Sequence, residues 1–314
     1  MSLETVSLET VKTSRRYFAM VTTSGSAAYT PHALSSFFSN TPFNVDDRFF
    51  LIDNNGDCDE SMAQPYPRCE LVRNDVPRGF AENANWAMGA ALEAGADLYF
   101  LNNDIILTPK WLTPFLTDAP TILTPLSNRE VQYAASVQVI KTQHISELFC
   151  CEMIMRLEDY LGHEASLEAI AATHRKTSQG LLPVLALPFF CVKIPVEVMR
   201  AVGQFDTTFG QGGGEDYDYC LRAHLQGFSV HYALASFVLH FGGKSSWSGV
   251  ETPDQQRARE AHFRGVFRQK WGDRLHDLIL KEDASVIAGD EALSALHRRG
   301  DLRGLVKALI PNGS

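Results

Sequence analysis

Along the first hundred residues, short apolar runs closed by polar or glycine-bearing turns alternate with stretches of three- and four-residue apolar spacing. Tyr17–Thr23 (YFAMVTT) reads as a buried first strand, ended by Ser24-Gly25-Ser26, and helical spacing follows over Pro31–Phe38. Arg48–Asp53 (RFFLID) is the next predicted strand, closed by Asn54-Asn55-Gly56-Asp57, and Glu70–Val72 is a short third. Phe80–Ala94 carries apolar residues at helical spacing and stops at Gly95, a residue suited to a left-handed cap. Asp97–Leu101 then reads as a strand buried on both faces. Strands and helices in this alternation predict a parallel α/β sheet. Ligands of such sheets bind beyond the carboxyl ends of the strands, where Thr22, Asp53 and Asn102 to Asp104 fall.

The second half is patterned differently. Residues 128–179 are mostly helical in spacing, with an apolar stripe over Ile145–Leu161, and are expected to fold over the sheet. Leu185–Val192 reads as a strand, Glu215–Gln226 as a helix whose carboxylates suit its N-terminal dipole, and Val230–Ala233 and Ser236–His240 as two short strands. From Asp254 onward the chain is helical and amphipathic. Its tail sets Leu293, Leu296, Leu305 and Leu309 against Arg298, Arg299, Arg303 and Lys307. Two readings stay open: a helix packed on its own domain, or a face lying on an anionic membrane.

Composition narrows the partners. The 314 residues carry a formal net charge of -9, with no dense Lys/Arg block, so nucleic acid is not an expected partner. No apolar run approaches the roughly 18–20 residues of a spanning helix; the longest candidate, Leu181–Val192, is broken by Pro183 and Pro188. Six cysteines occur, none in a C-x-x-C pair, and the start of the chain lacks a positive-then-apolar leader pattern. Reduced thiols and a cytoplasmic location, peripheral to the inner membrane face at most, are expected.

Three loops carry the chemistry. Asn102-Asn103-Asp104 sets amides and a carboxylate just past a buried strand. Gly212-Gly213-Gly214-Glu215-Asp216 sets adjacent carboxylates after a glycine run, and His240-Phe241-Gly242-Gly243 sets an imidazole beside a turn. Such groups can hold a hard divalent cation and supply a base, the equipment for moving a group off a metal-bound diphosphate. Mg²⁺ or Mn²⁺ needs few protein ligands there, because phosphates and waters complete the shell. A carboxylate with one His favours Mn²⁺. Plainer readings are a turn aspartate at Asp104 or Asp53, a helix cap at Asp216, a strand histidine at His240, and Glu215 rather than Asp216 as the base. Asp218 is expected to be structural or to face an acceptor. Trp247, with Lys244, Ser245 and Ser246, reads as an exposed loop or as a lid over the diphosphate.

In order, Thr22-Thr23, Leu51-Ile52-Asp53-Asn54, Arg78-Gly79-Phe80-Ala81, Ala96 to Asp104, Pro109-x-Trp111-Leu112, Gly203-x-Phe205-Asp206, Gly214 to Asp218, His240-x-Gly242-Gly243 and Lys270-Trp271-Gly272 form an ordered set. The set resembles the inverting glycosyltransferases of family 2, in their Leu-Asn-Asn-Asp, rhamnosyltransferase-like subgroup. It covers about residues 17 to 272 and is weakest near 130–180. The resemblance implies a GT-A fold: an α/β architecture with a mostly parallel, Rossmann-like central sheet flanked by helices. It implies a domain over 15–272, with a nucleotide-sugar-binding half (15–127) and an acceptor and catalytic half (128–272). Residues 1–14, which repeat Ser-Leu-Glu-Thr-Val, are set aside as a disordered lead, and 273–314 form a helical extension.

Residue by residue, the resemblance implies donor contacts at Thr22, Asp53, Arg78 and Asn103. It implies metal ligation by Asp104, His240 and Asn102, with the amide of Asn102 the weaker ligand. Asp216 matches the general base, with Glu215 beside it. A divalent cation, a UDP- or dTDP-sugar donor, and a saccharide or lipid-linked acceptor in surface polysaccharide or glycoconjugate synthesis are the implied partners. Peripheral membrane contact and a homodimer are further readings. A nucleotidyltransferase would need a Gly-rich, Arg-containing loop after the first strand, which Thr22-Thr23-Ser24-Gly25 does not provide. A non-catalytic nucleotide-sugar-binding protein is the second alternative, opposed by the intact Glu215, Asp216 and His240.

Overall fold

The computed structural model describes residues 15–56, 58–117, 119–128, 156–243 and 251–311. The Trp247 loop, most of the Ile145–Leu161 stripe and the N-terminal repeat lie outside them. In chain order the strands are β1 (Arg16–Thr22), β2 (Arg48–Asp53), β3 (Cys69–Arg73), β4 (Asp97–Asn102), β5 (Ile105–Leu107), β6 (Thr121–Ser127), β7 (Leu181–Pro183), β8 (Cys191–Ile194) and β9 (Ser229–His240). They form one sheet in the order β3-β2-β1-β4-β8-β6-β9-β5, with β7 on β9. β3, β2, β1 and β4 are mutually parallel, as their continuous apolar runs predict. Beyond β4 the sheet is mixed: β8 is antiparallel to both β4 and β6, whereas β6 and β9 run parallel.

The larger helices are α1 (Thr30–Asn40), α2 (Phe80–Ala94), α3 (Leu157–Tyr160), α4 (Glu164–Thr177), α5 (Val196–Val202), α6 (Glu215–Leu225) and α7 (Pro253–Leu280). Three more close the chain: α8 (Ser285–Ala288), α9 (Glu291–Arg298) and α10 (Leu302–Leu309). α2 turns Ala81, Ala84, Ala87, Met88 and Ala91 onto the sheet and ends on Gly95 with φ 63°, the left-handed cap its sequence predicts. One core joins that face to α6, α7 and the C-terminal helices; a second lies under α1, and a third, smaller one packs α4 on β9. Leu293, Leu305 and Leu309 are buried in the first core and Leu296 packs against it. The leucine stripe of the tail is therefore a packing face, and it is not available to a membrane.

Two expectations for the second half are corrected. Leu185–Val192 is not one strand: Val184 still donates to Val230 O at 3.0 Å, but residues 185–190 belong to no strand before β8, although Val184 to Leu187 are buried. Pro183 and Pro188 cannot donate to a ladder, and the polar atoms at 189 and 190 are taken by other elements, described below. Conversely, Val230–Ala233 and Ser236–His240 belong to one strand, with the register against β6 shifting between Pro125 and Leu126. The irregular residue Leu234 stays satisfied, because its carbonyl accepts from His174 Nε2 at 2.6 Å and its N–H donates to Gly180 O at 3.0 Å.

Candidate active site

The parallel strands deliver their carboxyl ends to one edge, and the loops there hold each other through buried amides. Asn54 Oδ1 accepts from Asn74 Nδ2 (2.8 Å), Asn83 Nδ2 (3.1 Å) and the Arg78 N–H (2.9 Å), while Asn54 Nδ2 donates to Arg78 O at 3.0 Å. This knot fixes the backbone entering α2. Gly79, at that entry, approaches the next loop so closely that a Cβ would lie 2.5 Å from Gly210 O. The Phe80 N–H donates to Gln211 O at 3.1 Å. The loop after β2 is thereby coupled to the glycine run that precedes α6.

A cleft of 640 Å³ opens here between Thr23, Ser24, Asn54, Asn55 and Pro77 on one side and Gly210, Gln211 and a face of α7 on the other. Gln255, Arg259 and His262 contribute that face. Of the predicted donor residues, Thr22 and Asp53 sit one position before lining residues. Thr22 is buried with its hydroxyl 2.8 Å from that of Thr30. Asp53 is fully buried, and its carboxylate accepts from the N–H groups of Gly56 (2.8 Å) and Cys58 (3.0 Å). Asn103 is buried and donates to Ser26 Oγ (2.7 Å) and Thr30 Oγ1 (2.9 Å). As placed, these three side chains hold the surrounding loops. Arg78 is half-buried, and its guanidinium enters no ion pair among the described residues.

The next strand ends carry the candidate metal ligands. Asp104 is buried, and its Oδ1 lies 3.5 Å from His240 Nε2, which makes no hydrogen bond. The pairing of β5 with the end of β9 brings the two together, and the Phe241 N–H donates to Asp104 O at 3.0 Å. His240 is held by its N–H on Asn128 Oδ1 (2.7 Å) and by stacking on Phe190, with centroids 4.7 Å apart and planes at 12°. Asn102 is half-buried. Among the described residues no three His, Cys, Asp or Glu side chains gather as a closed metal centre. One carboxylate oxygen and one imidazole nitrogen facing each other fit an ion whose remaining ligands are phosphate and water.

The carboxylates of α6 lie on the same edge. Asp216 is half-buried; its Oδ1 accepts from the Tyr217 N–H at 2.8 Å and its Oδ2 from the Phe189 N–H at 3.4 Å. Phe190 meanwhile accepts from the Asn102 N–H at 2.8 Å. Consecutive residues thus hold Asp216, His240 and the end of β4. Glu215 is buried, and its carboxylate accepts from the Gly213 N–H at 2.5 Å. Burial raises Glu215 from its ordinary 4.5 to about 7, against the opposing pull of its hydrogen bonds and Arg259. Asp216 is also raised, by burial and then by the Glu215 carboxylate beside it. Asp218 is spent structurally: it is buried against Arg222 Nε (2.8 Å), Trp271 Nε1 (2.9 Å) and Lys270 Nζ (2.8 Å). Thr23, Asn54, Arg259, Phe189 and Phe190 were not singled out by the sequence. Thr23 and Asn54 are neighbours of residues that were.

No protein-family model matches this sequence, and neither does any curated protein. Among solved structures, the chain is similar to GalNAc-T7 crystallised with UDP, GalNAc and Mn²⁺, at 14% identity and a TM-score of 0.57. The fold is that of the GT-A glycosyltransferases. The match covers 94% of this chain and 55% of that one, so the chain spans about half the length of that neighbour. It is also similar to the mannosyltransferase PcManGT from Pyrobaculum calidifontis in complex with GDP-Man and Mn²⁺, at 12% identity and a TM-score of 0.49, covering 94% and 85% of the two chains.

Proposed function

We propose that this chain is a metal-dependent inverting glycosyltransferase, moving a sugar from a nucleoside-diphosphate donor to an acceptor hydroxyl. The observation that carries the reading is the facing pair Asp104 and His240, joined through Phe190 and Phe189 to Asp216. Asp104 and His240 would hold a divalent cation, Mn²⁺ or Mg²⁺, which stabilises the leaving diphosphate by several kcal/mol. GalNAc-T7, of the same fold, was solved with UDP and Mn²⁺, which supports a nucleotide-sugar site of this kind. The 640 Å³ cleft, with Asn54 and Thr23 on its wall, would take the nucleoside. Asp216 would receive the proton of the acceptor hydroxyl. Its raised proton affinity suits a base working near neutral pH. Uridine and deoxythymidine donors, and an acceptor in surface polysaccharide or glycoconjugate synthesis, complete the proposal.

Calorimetry of UDP, dTDP and GDP with and without Mn²⁺ tests it. Metal-dependent binding of at least one nucleotide is expected, and its metal-dependent part should be lost in Asp104→Ala and in His240→Ala. Binding of none, or binding indifferent to Mn²⁺, would overturn the reading.

A further inference from the structure

The peptide group between Gly212 and Gly213 is gripped at both edges. Its carbonyl accepts from Arg259 Nη1 at 3.3 Å, and its N–H donates to Glu215 at 2.5 Å. Arg259 is itself locked by a two-pronged ion pair to Glu251, at 2.8 Å from Nε and 3.0 Å from Nη2. A cation on the carbonyl polarises the whole peptide and strengthens the N–H as a donor. Only glycine suits this turn. Gly213 has φ 122°, and a Cβ there would lie 2.6 Å from the Phe263 ring of α7.

We infer that Arg259 is a positioning residue for the carboxylate pair: held by Glu251, it fixes the Gly212–Gly213 peptide, whose N–H anchors the Glu215 carboxyl beside Asp216. Burial opposes a charge on Glu215, and Arg259 is the cation that favours it. Among the described residues, Asp216 and Asp218 of its own helix disfavour the anion. Asp218 is in turn offset by Arg222 and Lys270. His262 of α7 closes over Gly210 in the loop before α6 and donates from Nε2 to Thr208 O at 2.9 Å. An anionic Glu215 raises the proton affinity of Asp216, so Arg259 tunes the base without touching it. This last consequence rests on the reading of Asp216 as the base; the effect on Glu215 does not.

The test follows the Glu215 carboxyl by NMR in protein labelled with ¹³C-carboxyl glutamate, its signal assigned by loss in Glu215→Gln. In Arg259→Gln the titration midpoint of Glu215 should rise by about one pH unit or more. In Arg259→Lys, which keeps the charge but not the planar fork, it should rise by less. The pH dependence of urea unfolding should change in Arg259→Gln and lose that change in the Glu215→Gln background. An unmoved midpoint in folded Arg259→Gln, or in Arg259→Lys should the first variant fail to fold, overturns the inference. So does the same pH-dependent change in both backgrounds. None of these readouts needs a nucleotide, so failure here is separable from failure of UDP, dTDP and GDP to bind the unmodified protein.

Discussion

Asp216 and Glu215 are neighbours in sequence with different surroundings, and each difference is measurable. Asp216 is the more exposed and takes only backbone donors. Asp216→Asn should lower the transfer rate by roughly 10² or more, with nucleotide affinity nearly intact. A fully active variant in a turnover assay would remove Asp216 from its role. Glu215 answers better in stability. Its folded value of about 7 exceeds the ordinary 4.5, so the folded protein keeps a proton that the unfolded chain releases across that window. Stability is therefore lost as pH rises from 4.5 to about 7, by about 3 kcal/mol for this group. Glu215→Gln should abolish that loss, making the variant relatively more stable at pH 8 than at pH 5 in urea unfolding. At this scale the sequence marked turns whose facing it did not show. At the ends of β1 and β2, Thr22 and Asp53 point inward while Thr23 and Asn54 line the cleft. One residue of offset reverses a strand's facing, and no local pattern shows which face a loop will cover.

Elements whose partners are local were legible. The apolar run of β2 and the Gly95 stop of α2 state their own boundaries, and Arg48–Asp53 and Phe80–Ala94 fold over the predicted residues. The segment between β7 and β8 was not legible, because its hydrogen bonds go to distant groups: Phe189 to Asp216 and Phe190 to Asn102. An apolar run with two prolines reads as a strand until those partners are known. Phe190→Leu keeps the volume roughly and loses the flat stack on His240. Metal-dependent nucleotide affinity should fall about fivefold, close to the ~1 kcal/mol of an aromatic pair. Calorimetry with and without Mn²⁺ isolates that part; an unchanged difference between the two would show that His240 needs no such support.

Across the whole molecule, the C-terminal helices belong to the main core. Leu293, Leu302, Leu305, Val306 and Leu309 are buried with residues of β4 and α6. At about 1.5–3 kcal/mol for each large buried apolar side chain, removing residues 290–314 should cost as much as a typical domain's entire stability. The truncated chain should show no cooperative melting transition by circular dichroism, and the intact protein should remain in the supernatant when anionic vesicles are sedimented. A truncated chain that melts like the intact one would make these helices an accessory.

The neighbouring residues Phe189 and Phe190 set a ruler. One answers to the proposed base and the next to the proposed metal ligand, so the spacing of the two centres is calibrated by a single step of about 3.8 Å along the chain. Neither centre can drift alone, since loosening one peptide releases both. A chain lacking one residue at this point would retain Asp104, His240, Glu215 and Asp216, every group the chemistry names, and would hold them out of step.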